Sequence, residues 1–158
     1  MEVPSQLLLI SLIILAAGII ASQSIQTILL KYYIEAYASI DLTINKILLS
    51  IFSSIRKAYK VGQETNDITT IEQLIVLNKN HFYEISSGSD NRYFLKVSSY
   101  VLGSKGFEEI SLTYELPSEI NGINIYYISQ TKGKCIRILL RVQYDPLNKK
   151  ITVELTPS

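Results

Sequence analysis

Residues that carry chemistry are scarce in this chain. Among 158 residues there is one cysteine, Cys135, one histidine, His81, and no tryptophan. A lone cysteine excludes an intramolecular disulfide framework and a cysteine-clustered metal site. A lone histidine argues against His-based catalysis and zinc chemistry. Charge is also sparse, at 18% of residues, below the roughly 25% of an average soluble domain. Neither sign dominates, with 15 Lys and Arg against 14 Asp and Glu, for a formal net charge of +1. That balance fits neither a strongly basic nucleic-acid binder nor an acidic tail protein, and no nucleic-acid partner is expected. Hydrophobic residues reach 47%, too many for a wholly disordered chain.

What is present is an uneven distribution of apolar residues. No charge occurs between Glu2 and Lys31, a run of 28 positions. Leu7 to Ala21 reads LLLISLIILAAGIIA, and Ser22 to Leu30 reads SQSIQTILL. At ~1.5 Å per helical residue, Leu7 to Leu30 spans about 36 Å, enough for a bilayer core of roughly 30 Å. The run lacks the basic n-region of a secretory signal, since Glu2 is the only charge before it. As an uncleaved anchor it has Lys31 after it and an acid before it, so the positive-inside rule gives no help in placing the C-terminal bulk outside. Both difficulties disappear if a basic leader once preceded Met1 and was removed.

From Lys31 the chain turns amphipathic without a break. Ile34, Tyr37, Ile40, Ile44, Ile47, Ile51 and Ile55 follow at spacings of 3, 3, 4, 3, 4 and 4, the stripe of one helical face. Pro4 suits a first-turn position. Neither Gly nor Pro occurs between Gly18 and Gly62, and Gly62 after Arg56, Lys57 and Lys60 reads as the stop. One helix from Pro4 to Lys60 is expected, about 85 Å long. Its second half offers one stripe to the rest of the chain, and its first half is apolar nearly all round.

Beyond the connector VGQETND, short β-prone runs alternate with turn signals. Ile71–Leu77 is ambiguous between strand and helix. The clearer strands are His81–Ile85, Arg92–Ser98, Phe107–Glu115, Ile123–Ser129, Lys134–Tyr144 and Lys150–Thr156. The expected fold class is α+β, with a long N-terminal helix over residues 1–60. A globular head over 61–158, an antiparallel meander or sandwich of five to seven strands, packs against it.

No residue cluster here supports catalysis, and no cofactor or metal is expected. Gly103-Ser104-Lys105-Gly106 resembles a phosphate-binding fragment but lacks P-loop spacing and reads as a hairpin turn. His81 has no partner pattern and reads as a surface or packed residue. Glu108 and Glu109 are neighbours on a strand and so point to opposite faces, not into one acid/base pair. Cys135 reads as a small buried or surface thiol. The 11 tyrosines read as packing residues with apolar bodies and polar tips.

An uncharged apolar segment, MEVPSQLLLISLIILAAGIIASQSIQTILLKYY, continued as an amphipathic helix and followed by a β-rich head, resembles the type IV pilins. The 25 isoleucines look more like the archaeal branch. The resemblance implies cleavage of a basic leader, so that Met1 is the processed N-terminus. It also implies mature helices bundled as the core of an extracellular filament serving adhesion or cell-surface interaction. Partners are then copies of the same chain, with the inner membrane and a pilus assembly machinery engaged beforehand. Ser5 stands where bacterial members usually carry glutamate, and the frequent mid-segment proline is missing, which implies a continuous helix.

The implied assembly core is Leu7, Leu8, Leu9, Ile10, Leu12, Ile13, Ile14, Leu15, Ile19 and Ile20, with Gly18 allowing close approach. Gln23 and Gln26 supply interhelical hydrogen bonds. Full burial of each large apolar side chain contributes about 1.5–3 kcal/mol relative to water, and less relative to lipid. The alternative reading is a membrane-anchored archaellum stator-like or secretion-system component with an extracytoplasmic β head.

Overall fold

The computed structural model describes residues 4–158, so Met1, the expected processed N-terminus, lies outside the described residues. One helix, α1, runs from Ser5 to Thr65, 61 residues or about 92 Å. Pro4 precedes it in extended conformation rather than sitting in its first turn, and its carbonyl accepts the amide of Leu7 at 2.9 Å. The helix passes straight through Gly62 and stops at Asn66, which adopts the left-handed conformation (φ 56°) and donates its amide to the Gly62 carbonyl at 2.8 Å. Asn tolerates that region better than most residues because its short side chain bonds locally. The expected stop at Gly62 is therefore corrected. That glycine is a contact residue: a Cβ there would come within 2.3 Å of the Tyr144 ring.

Nine strands follow: β1 (Thr69–Val76), β2 (Phe82–Ser87), β3 (Tyr93–Gly103), β4 (Gly106–Leu116), β5 (Glu119–Ile120), β6 (Ile123–Ser129), β7 (Gly133–Lys134), β8 (Arg137–Asp145) and β9 (Lys150–Pro157). The ambiguous run is thus a strand, and the expected single strand Lys134–Tyr144 is divided at Cys135-Ile136. Five strands form one sheet in the order β1-β8-β9-β6-β5, and four form another in the order β4-β3-β2-β7. Most pairs are antiparallel, but β6 and β9 pair parallel, with Ile125 opposite Ile151. The α+β class stands as expected.

Period-2 alternation builds the inner faces. Ile138, Leu140, Val142 and Tyr144 of β8 are buried, as are Ile151, Val153 and Leu155 of β9. Their outward neighbours carry the ion pairs, with Arg141 bonding Glu72 at 2.7 Å and Glu154 at 3.2 Å across three strands. Turn chemistry matches the backbone. Gly103-Ser104-Lys105-Gly106 closes the β3–β4 hairpin, with Gly103 opposite Gly106. Asn121 and Gly122 both take positive φ, 49° and 76°, as a two-residue turn between β5 and β6 requires.

Helix and sheets share one core. Ile40, Ile44, Ile47, Ile51, Ile55 and Ala58 are buried with the inner strand residues. Specific contacts set the order along the helix. Tyr33 donates to Glu108 of β4, Tyr114 of β4 donates to Asp41 at 2.9 Å, and Ser54 donates to Gln73 of β1 at 3.1 Å. Gly62 meets Tyr144 of β8, so the head covers one side of the helix from Tyr33 to its end.

Candidate assembly surface

The first six turns of α1, from Ser5 to Ile28, are exposed at every residue. Of the fourteen leucines and isoleucines from Leu7 to Leu30, thirteen are between 50% and 67% exposed. They include every residue of the expected core: Leu7, Leu8, Leu9, Ile10, Leu12, Ile13, Ile14, Leu15, Ile19 and Ile20. Scattered apolar side chains on a surface are ordinary, but a contiguous apolar cylinder is not. Among the described residues, this is the one helix long and apolar enough to cross a membrane.

Two hydroxyls along the cylinder bond back to the helix itself. The Ser24 hydroxyl donates to the Ile20 carbonyl and the Thr27 hydroxyl to the Gln23 carbonyl, each at 2.9 Å. Such back-bonding satisfies a hydroxyl without water. Gly18 leaves a shallow hollow flanked by Ile14, Leu15, Ile19, Ser22, Gln23 and Gln26, and a Cβ added there would meet nothing within 4 Å. Both glutamines of the expected set thus stand at this notch, where a neighbouring helix can approach closely.

The exposed surface does not end at Leu30. On the outer side of the helix Ile34, Leu42 and Leu49 are exposed, Leu49 to 70%, while Phe52 is half-exposed at the edge of a groove it shares with Pro117, Ile120 and Ile125 of the head. With Ala38 and Asn45, Ile34, Leu42 and Leu49 recur at intervals of 4, 4, 3 and 4, a second stripe on a helix whose spacing suggests one. Ile34 belongs here and not to the inner stripe, whose burial begins at Ile40. The signal was present in the spacing. It was hidden because a helix apolar on two sides looks like one broad stripe until something covers one of them.

Tempting residues elsewhere are occupied by packing. His81 is buried, with Thr43 Oγ1 2.8 Å from Nδ1 and Ser39 Oγ 3.4 Å from Nε2. Burial, and then the nearby Lys79 charge, lower its pKa below the ordinary imidazole value. Glu108 and Glu109 do point apart: one meets Tyr33, the other lies 3.9 Å from both Lys96 and Lys132. Cys135 is fully buried, which pushes its thiol up to about 12. Tyr83, Tyr127 and Tyr144 are buried, and Tyr59–Tyr144 and Tyr93–Tyr127 are tilted ring pairs at 5.1 Å. Among the described residues no three His, Cys, Asp or Glu side chains converge as a metal site.

Set against known protein families, curated proteins and solved structures, the chain matches none. Its architecture, a long apolar N-terminal helix packed on a β-sheet head, is compatible with a pilin-like subunit.

Proposed function

We propose that the chain is a structural subunit of an extracellular filament of the type IV pilus kind, polymerised through α1. The observation that carries this reading is the exposure of leucine and isoleucine all along one helix from Leu7 to Leu30, continued on its outer face by Ile34, Leu42 and Leu49. A lipid anchor needs the first of these but has no use for the second. Sister copies use both, because each helix laid against its neighbours repeats the same burial. Before assembly the apolar half resides in the inner membrane, where it engages the assembly machinery. The close-packing gain relative to lipid is modest, so polymerisation draws on helix–helix complementarity at Gly18 and on that machinery. The subunit works by polymerising and presenting its head, without catalysis or a cofactor, in adhesion or surface contact.

The test is electron microscopy of material sheared from producing cells, with N-terminal sequencing of the recovered subunit. Fibres built of this chain are expected. Leu12→Asp and Gly18→Leu each remove the fibres while the head still folds, the first by a buried charge and the second by filling the notch. Recovery only as a detergent-dispersed membrane species, or fibres unchanged in both variants, would refute polymerisation through α1. The first of those results favours the second reading, a membrane-anchored stator-like or secretion-system component. The observation that favours it is that the helix is long and apolar enough to span a bilayer.

A further inference from the structure

We infer that the tip of the β3–β4 hairpin is a membrane foot that rests in the interfacial layer of the bilayer holding the unassembled subunit. The hairpin reaches the helix at the residue where the span ends. Tyr33 donates to Glu108, and a Cβ on Gly103 would come within 2.9 Å of the Tyr33 hydroxyl. Tyr33 is three residues past Leu30, or about 4.5 Å along the axis. The headgroup layer on each side of the hydrocarbon core is roughly 5–7 Å thick, so Tyr33 and the hairpin tip share its depth.

The tip is built for that depth rather than for water. Leu102 and Phe107 face each other across the hairpin, and Phe107 is 78% exposed. They line one open groove with Tyr32 and Tyr100, both also exposed. Lys31 and Lys105 flank this apolar cluster in sequence, and Glu35, 3.8 Å from Lys31, shares the groove; tyrosine and lysine side chains are of the kind that settle at a bilayer interface. At the other end of the head the outstanding apolar side chain is Leu147, in the β8–β9 turn and 82% exposed. It belongs to the end where Gly62 meets Tyr144, 29 residues of helix or about 43 Å from Tyr33. The foot fixes how upright the head stands, since it adds a second point of contact beside the helix.

This inference rests on the reading that α1 spans a bilayer before assembly, and the two can be tested apart because the chain has no tryptophan. The full-length chain carrying Leu15→Trp, Phe107→Trp or Leu147→Trp is reconstituted in phosphatidylcholine nanodiscs with and without brominated acyl chains. Leu15→Trp is expected to lose intensity to bromine deep in the core. Phe107→Trp should show blue-shifted emission and lose intensity to bromine near the headgroups, while Leu147→Trp changes in neither respect. Leu102→Trp repeats the foot measurement from the opposite strand. If Leu15→Trp is quenched while both hairpin variants behave like Leu147→Trp, the foot is overturned and the span survives. Blue-shifted but unquenched hairpin emission that grows with protein density assigns the patch to a second copy and equally overturns it. An unquenched Leu15→Trp removes both readings.

Discussion

Gly62→Ala is expected to destabilise the head, although the same change in an open helix does the reverse. Replacing a mid-helix glycine by alanine ordinarily contributes about 0.5–1 kcal/mol, through lower backbone entropy in the unfolded chain. At Gly62 the new Cβ would lie 2.3 Å from Tyr144 Cδ1 and 2.9 Å from Cε1. The ring has little room to yield, because Tyr144 is buried and its face is held against Tyr59 at 5.1 Å. Overpacking of this kind costs about 1–3 kcal/mol. The difference leaves a net loss on the order of 1 kcal/mol, which for a head of this size lowers the melting temperature by roughly 4–8 °C. Thermal unfolding of the full chain in detergent, followed by near-ultraviolet circular dichroism of the tyrosines, reads this directly. Tyr144→Leu is the matched background: there Gly62→Ala should be neutral or stabilising. Gly18→Ala, where the added carbon meets nothing, should not lower the transition. If Gly62→Ala raises the melting temperature equally in both backgrounds, the close approach of α1 to β8 is not as described.

Three further outcomes follow from the same geometry. Asn66→Ala should destabilise by about 1 kcal/mol because alanine resists the left-handed conformation, whereas Asn66→Gly should be neutral or better; urea unfolding midpoints separate them, and equal loss in both would refute the cap. His81 has a folded pKa below its unfolded value of about 6.5, so its neutral form supports the fold above that pH. That support falls away as pH drops through 6.5 toward the lower folded pKa, and unfolding midpoints at pH 7.5 and 5 should differ more in the native chain than in His81→Gln. Equal pH dependence in the two would show that His81 does not titrate against folding. Cys135 should resist maleimide in the folded chain and react fully in denaturant, and rapid labelling at neutral pH without unfolding would contradict its burial.

Some of this protein was written locally enough to be read without coordinates. The helix followed from its isoleucine period and from the absence of Gly and Pro between Gly18 and Gly62. The strands β8 and β9 followed from alternation, and the β3–β4 turn from its paired glycines. Those signals are short-range, and neighbours a few residues away fix their meaning. The end of α1 was misread for the opposite reason. Glycine marks a helix stop when only sequence neighbours count, yet Gly62 is there for a ring 82 positions later in the chain. The parallel β6–β9 pair and the break at Cys135-Ile136 are likewise long-range pairings.

By itself the sequence determined that a rigid apolar rod precedes a β-rich head, because hydrophobic periodicity and helix propensity act within a few turns. Only the tertiary structure decided which side of that rod remains free. Packing the head onto Ile40, Ile44, Ile47, Ile51 and Ile55 consumes one face. The outer stripe from Ile34 to Leu49 becomes a surface only once that burial has happened, since exposure is a property of the whole fold and not of any residue in it.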